Sequence, residues 1–133
     1  MKFFSYNLNT TDKISSFPAL LEVIVDKGNI TLHFKGHITF KVHDIYPFRV
    51  LNKVREKLEE DNLFLTCKGS RIDVHYTGAT LVGFKAYKIK KGEPLKLKNM
   101  VNIFESEPDL EALSTITDQN RYFNNWLESV RVE

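Results

Sequence analysis

The stretch Ile30-Thr31-Leu32-His33-Phe34-Lys35-Gly36-His37-Ile38-Thr39-Phe40-Lys41-Val42 alternates apolar and polar residues for a full strand length. Ile30, Leu32, Phe34, Ile38, Phe40 and Val42 share one row, with Gly36 among them. Thr31, His33, Lys35, His37, Thr39 and Lys41 share the other. A period of two buries one face and wets the other, whereas a helix would scatter these apolar residues around its circumference. The expectation is one long strand over Ile30–Val42, in an antiparallel sheet covered on one side.

Upstream, Leu20–Asp26 has strand composition and meets the long strand through Lys27-Gly28. A two-residue loop there sets Val25 opposite Ile30, Val23 opposite Leu32 and Leu21 opposite Phe34, all on one face. Phe3–Leu8 forms a first strand, joined by an irregular Thr10–Pro18 connection. Downstream, the pattern predicts a helix from about Tyr46 to Glu60, with Asp44 as cap and Pro47 in the first turn. Its apolar stripe is Phe48, Leu51, Val54 and Leu58, while Arg49, Lys53, Glu56 and Glu60 face water.

A second hairpin is expected from Leu63–Cys67 and Ser70–Tyr76 around Lys68-Gly69, pairing Leu65 with Ile72 and Leu63 with Val74. Strands follow at Phe84–Lys90 and Leu95–Phe104, then a helical turn at Pro108–Leu113. Ser114 or Thr117 caps a last helix carrying Phe123, Trp126, Leu127 and Val130 on one side. The fold class is α+β: an antiparallel sheet built from hairpins, with a central and a C-terminal helix packed on one face. Residues 1–133 form a single globular domain, without repeats or linker-like stretches.

The bulk composition is that of an ordinary soluble domain: 42% apolar, 27% charged, with ten Phe and five Tyr. A single cysteine, Cys67, excludes an internal disulfide framework and fits a reducing compartment. No run approaches a membrane span, and Met1–Asn9 lacks the apolar core of a signal peptide, so a cytoplasmic protein is expected. The net charge of +2 hides an asymmetry. Residues 1–104 carry 17 basic and 10 acidic side chains, whereas 105–133 carry 2 and 7. Lys85, Lys88, Lys90, Lys91, Lys96 and Lys98 hold the basic excess. Glu105, Glu107, Asp109, Glu111 and Asp118 hold the acidic excess. Such segregation steers a charged partner.

No catalytic constellation emerges. His33 and His37 share a strand face but stand roughly 13 Å apart along an extended chain, too far for one metal ion. His43 beside Asp44 and His75 near Asp73 are read as solvated surface histidines. Cys67 and His75 would make a nucleophile–base pair, but the expected hairpin points them to opposite faces. Cys67 is therefore read as a buried structural thiol, and Arg71, Asp73 and His75 as a surface charge ladder. A small enzyme would need those last three to line a cleft. Gly78-Ala79-Thr80-Leu81-Val82-Gly83 lacks the Lys and Ser/Thr of a phosphate loop and is read as a flexible connection. Neither metal nor cofactor is expected. Lys85, Tyr87, Lys88, Lys90, Lys96 and Lys98 support an RNA- or DNA-binding alternative, with lysines on phosphates and Tyr87 stacking on a base. Lysines also guard exposed strand edges, and such an edge would allow a homodimer.

The run Leu65-Thr66-Cys67-Lys68-Gly69-Ser70-Arg71-Ile72-Asp73-Val74-His75, followed by Gly83-Phe84-Lys85-Ala86-Tyr87-Lys88-Ile89, resembles a family of small bacterial proteins. In that family a Cys-x-Gly-Ser-Arg-x-Asp-Val hairpin precedes a Gly-x-Lys-Ala-Tyr strand. The Val101-Asn102-Ile103-Phe104 strand, Thr117-x-Gln119 and Phe123-x-x-Trp126-Leu127-x-Ser129 are similar as well, so the likeness spans about residues 46–130. The chain departs from it at His75-Tyr76-Thr77-Gly78-Ala79, where a Tyr-Pro-Ser-Gly-Met-like turn is expected. Members of this type resemble immunity proteins that neutralise polymorphic toxins, including those of contact-dependent growth inhibition. The resemblance implies a non-enzymatic antitoxin that binds a cognate toxin, and it carries over no catalytic residue. Glu105, Glu107, Asp109, Glu111 and Asp118 would then act as a phosphate mimic in the basic site of a nucleic-acid-degrading toxin.

Overall fold

The computed structural model of the chain describes residues 1–131. Strands β1 (Lys2–Thr11), β2 (Ser16–Asp26), β3 (Asn29–Lys35) and β4 (Thr39–Asp44) precede helix α1 (Pro47–Glu59). The short strands β5 (Phe64–Leu65), β6 (Val74–His75), β7 (Lys85–Lys88) and β8 (Met100–Asn102) follow, and helix α2 (Ile116–Val130) closes the described chain. The strands form two antiparallel sheets, ordered β4-β3-β2-β1-β5 and β6-β7-β8. The architecture is α+β, as the residue pattern indicates.

The β2–β3 register follows the turn chemistry. Val25 faces Ile30, Val23 faces Leu32 and Leu21 faces Phe34. Lys27 and Gly28 both take positive φ, 51° and 80°, the tight turn whose twist matches the flanking strands. The stretch Ile30–Val42, however, is two strands rather than one. It folds back at Gly36–Ile38, where the Gly36 N–H donates to the Ile38 carbonyl at 3.0 Å. The alternation survives because the fold-back keeps parity: Phe34 pairs with Phe40 and Leu32 with Val42, so the paired apolar residues share the core face, while Ile38 in the turn itself is exposed. A Cβ on Gly36 would lie 2.7 Å from the Phe34 ring, so the bend depends on glycine.

Helix α1 lies where expected, with Pro47 in its first turn and Phe48, Leu51, Val54 and Leu58 buried against β3 and β4. Asp44 is not its cap. Tyr46 holds the cap position without a side-chain hydrogen bond, while the Asp44 carboxylate accepts from the Ile45 and Tyr46 N–H groups and pairs with Arg49 and Lys53.

The expected Leu63–Tyr76 hairpin does not form. β5 pairs with β1, residues Lys68–Ser70 make a 3₁₀ turn, and β6 pairs with β7. Thr66, Cys67, Gly69 and Ser70 are all buried, which a half-solvated hairpin strand does not permit. Their backbone hydrogen bonds go to distant segments instead: Thr66 to Asn9, Lys68 to Glu105, Gly69 to Ile103 and Ile72 to Ala112, each at 2.8 Å. Gly69 is packed so closely that a Cβ would meet Leu51 Cδ2 at 2.4 Å.

Leu95–Phe104 likewise holds only β8 with a 3₁₀ turn before it, and β7 is shorter than Phe84–Lys90. The expected turn near Pro108–Leu113 is a 3₁₀ turn at Leu110–Ala112. Thr115, rather than Ser114 or Thr117, caps α2 by accepting from the Asp118 N–H at 3.1 Å. The main core lies between the large sheet and α1. A second cluster of Tyr87, Ile89 and Trp126 joins α2 to the small sheet. Leu127 stays largely exposed. No helix among the described residues is long and apolar enough to cross a membrane.

Candidate functional site

Three surfaces hold the sequence-derived candidates. The acidic one is a ridge over residues 105–118. It lies alongside Thr66–Ile72, tied there by N–H groups of Lys68, Ile72, Glu107 and Ser114 bonding to Glu105, Ala112, Thr66 and Ser70 carbonyls. Glu105, Asp109, Glu111 and Asp118 are exposed along it. Asp109 accepts from the Glu111 N–H, and Asp118 pairs with Arg121 at 3.0 Å.

Glu107 behaves differently and is not available at the surface. It is buried at 5% exposure and takes Arg71 Nη1 at 2.8 Å and Lys68 Nζ at 3.4 Å. Burial alone would raise its pKa, but Arg71, the Asp109 N–H and Lys68 outweigh that and hold it below the ordinary value. Arg71 also forks onto both Asp73 oxygens at 2.8 and 3.0 Å, and these bonds raise its already high pKa. Arg71, Asp73 and Glu107 are therefore an internal clamp fastening the ridge to the body, and not a solvated ladder.

The basic surface exposes Lys85, Lys88, Lys90, Lys96 and Lys98. Tyr87, the expected base-stacking ring, is 8% exposed and belongs to the cluster with Trp126. Lys96 lies 3.9 Å from Glu93, and the aromatic between the lysines is not free to stack.

The third surface is a cleft of about 270 Å³ at the start of α1, lined by aromatic, amide and cationic side chains. Its inner wall is His75, which is 6% exposed rather than solvated. The ring lies flat on Phe123, with centroids 3.8 Å apart and planes 11° from parallel, and stacks on Tyr76. Burial lowers its pKa from the ordinary 6.5, against the hydrogen bonds to the Tyr76 carbonyl and Asn120. The neutral form is favoured in the fold, so stability is complete above pH 6.5 and declines as pH falls from there toward the folded-state pKa. Each unit of depression is worth about 1.4 kcal/mol. Urea unfolding between pH 7.5 and 5 should show this loss, and His75→Phe should remove it. An unchanged acid slope in that variant would place the titration elsewhere.

Cys67 and His75 form no nucleophile–base pair. The buried Cys67 thiol contacts Ser70 Oγ at 3.4 Å, and burial pushes its pKa up, away from thiolate reactivity. The other histidines serve the surface: His43 bonds Thr31 at 2.9 Å, His37 bonds Asp61 at 3.0 Å and His33 lies 3.8 Å from Glu22. Among the described residues no three His, Cys, Asp or Glu side chains converge as metal ligands.

Residue patterns missed the polar hub beneath the ridge. Arg55 is 3% exposed and donates to Asn52 Oδ1, the Gly69 carbonyl, Gln119 Oε1 and the Ser114 carbonyl at 2.7–3.1 Å. Gln119, wholly buried, donates through Nε2 to the Gly69, Arg71 and Val74 carbonyls. The signal was helical phase. Arg55 continues the Leu51–Val54–Leu58 stripe, and Gln119 stands three and four residues, then seven, before Tyr122, Phe123 and Trp126. No protein-family model matches this chain, and no curated protein matches it.

Proposed function

We propose that this is a non-enzymatic binding protein, an immunity protein that neutralises a cognate bacterial toxin by occupying its basic active site. The observation that carries the reading is the pre-organised acidic ridge. Glu105, Asp109 and Glu111 project from a segment held by backbone bonds and by the buried Glu107–Arg71 clamp, with Asp118 following in the first turn of α2, so little ordering is needed on association. Exposed carboxylates on a fixed segment resemble a phosphate backbone in charge and steer a basic partner. The family resemblance in residues 46–130 points the same way.

The test pairs this chain with the product of the reading frame immediately upstream. If that product is toxic alone, the immunity reading expects rescue of growth and co-elution. With the pair in hand, Glu105→Lys, Asp109→Lys and Glu111→Lys together should slow association by about 10- to 1,000-fold at low salt and flatten its salt dependence. Stopped-flow mixing measures this, and an unchanged on-rate removes the ridge from the interface. Glu107 is left intact because reversing it would place Lys beside Arg71 in a buried site. An RNA- or DNA-binding role for Lys85, Lys88, Lys90, Lys96 and Lys98 is the competing reading. It expects polynucleotide to be retained on purification and released by salt.

A further inference from the structure

The cleft at the start of α1 holds a buried acceptor that the rest of the protein leaves almost unused. His75 Nδ1 lies 2.8 Å from the Tyr76 carbonyl, which can only accept, so Nδ1 carries the proton. In the neutral ring Nε2 is then a bare lone pair. Its neighbour among the described residues is Asn120 Oδ1 at 3.4 Å, which can only accept, so the lone pair meets no donor there.

A donor stands on the same lining. Asn52 turns its Oδ1 to Arg55, which can only donate, so the Asn52 NH₂ is left for the cleft. Tyr46, Phe48, Tyr76 and Leu81 supply apolar and aromatic surface. Arg49 is the cation of the lining, with its side chain 58% exposed. Its Nε is bonded to Asp44 at 2.7 Å, while its two Nη groups have no protein acceptor among the described residues. Asp44 also holds Lys53 at 3.2 Å, so two cations share one carboxylate and a positive charge is left over.

Aromatic surface, an acceptor and a donor on one lining, and an exposed cation match a planar nitrogen heterocycle that carries an anion. We propose that this cleft binds a nucleoside monophosphate, with the base against His75 and Asn52 and the phosphate on Arg49. The volume of about 270 Å³ lies just under the usual range for whole small-molecule sites, so the base enters and the sugar-phosphate rests at the rim. This site is distinct from the acidic ridge and stands or falls without it.

The test titrates the full chain with AMP, CMP, GMP and UMP, and separately with the free nucleosides and inorganic phosphate. Calorimetry reads affinity, and the His75 Nε2 nitrogen resonance reads the contact. At least one monophosphate should saturate and move that resonance, with inorganic phosphate at least about tenfold weaker. Arg49→Gln should weaken the monophosphate about tenfold while leaving the matching nucleoside unchanged. His75→Phe, which keeps the stack, should abolish the base contact. No saturation by any of the four overturns the proposal. So does phosphate binding as tightly as the nucleotide, or an Arg49→Gln variant with full affinity. Arg49 is on the surface, so its variant keeps the test decisive even if His75→Phe does not fold.

Discussion

Arg55→Met is expected to destabilise the protein by about 3–5 kcal/mol in urea titration, the range for removing one member of a buried charged network. Methionine fills most of the arginine's volume, so the loss is polar rather than steric. It leaves the Ser114 carbonyl and Gln119 Oε1 buried without the donor they now have, each worth about 1–3 kcal/mol. Among the described residues Arg55 makes no salt bridge to a carboxylate; its charge is met there by carbonyl and amide oxygens. Burial pulls its pKa down, but a guanidinium stays charged at any relevant pH. Gln119→Leu should act through the same hub, because it strips donors from the Gly69, Arg71 and Val74 carbonyls. The two changes should therefore couple by about 0.5–3 kcal/mol in a double-mutant cycle. An Arg55→Met loss below about 1 kcal/mol would show that the surrounding backbone finds other donors.

Trp126→Ala should cost about 3–5 kcal/mol, as for other large aromatic deletions from a packed cluster. Trp126 is 6% exposed, packs with Tyr87 and Ile89, and donates from Nε1 to the Glu93 carbonyl at 2.8 Å. It thus joins α2, β7 and the lysine-rich loop in one contact. Because this cluster is separate from the core under the large sheet, hydrogen exchange should lose protection first in α2, and last in β2 and β3. Uniform loss across both sheets would mean that the two clusters unfold as one unit. Trp126→Phe, which keeps a ring in place, should cost clearly less.

The elements legible from residues were those set by neighbours in sequence. The Lys27-Gly28 turn dictated the β2–β3 register, and helical spacing located α1 and its buried face. Legibility ended wherever pairing was non-local. Gly36–Ile38 reverses the chain without changing parity, so alternation cannot tell one strand from two. Around Lys68-Gly69 a hairpin satisfied the local pattern, but the backbone there bonds to Asn9, Ile103, Glu105 and Ala112. Of the acidic candidates, Glu105, Asp109, Glu111 and Asp118 lie exposed as the pattern suggests, while Glu107 is turned inward by Arg71.

By itself, then, the chain's order of residues determined the α+β class, the first tight hairpin, the amphipathic helices and the segregation of charge. These depend on side-chain periodicity and turn conformation, which act over a few residues. Only the tertiary structure decided which carbonyls Arg55 and Gln119 would satisfy, that Glu107 would clamp the ridge, and that His75 would wall a cleft. Each of these depends on which distant backbone and side-chain groups meet a given polar atom once water has been excluded.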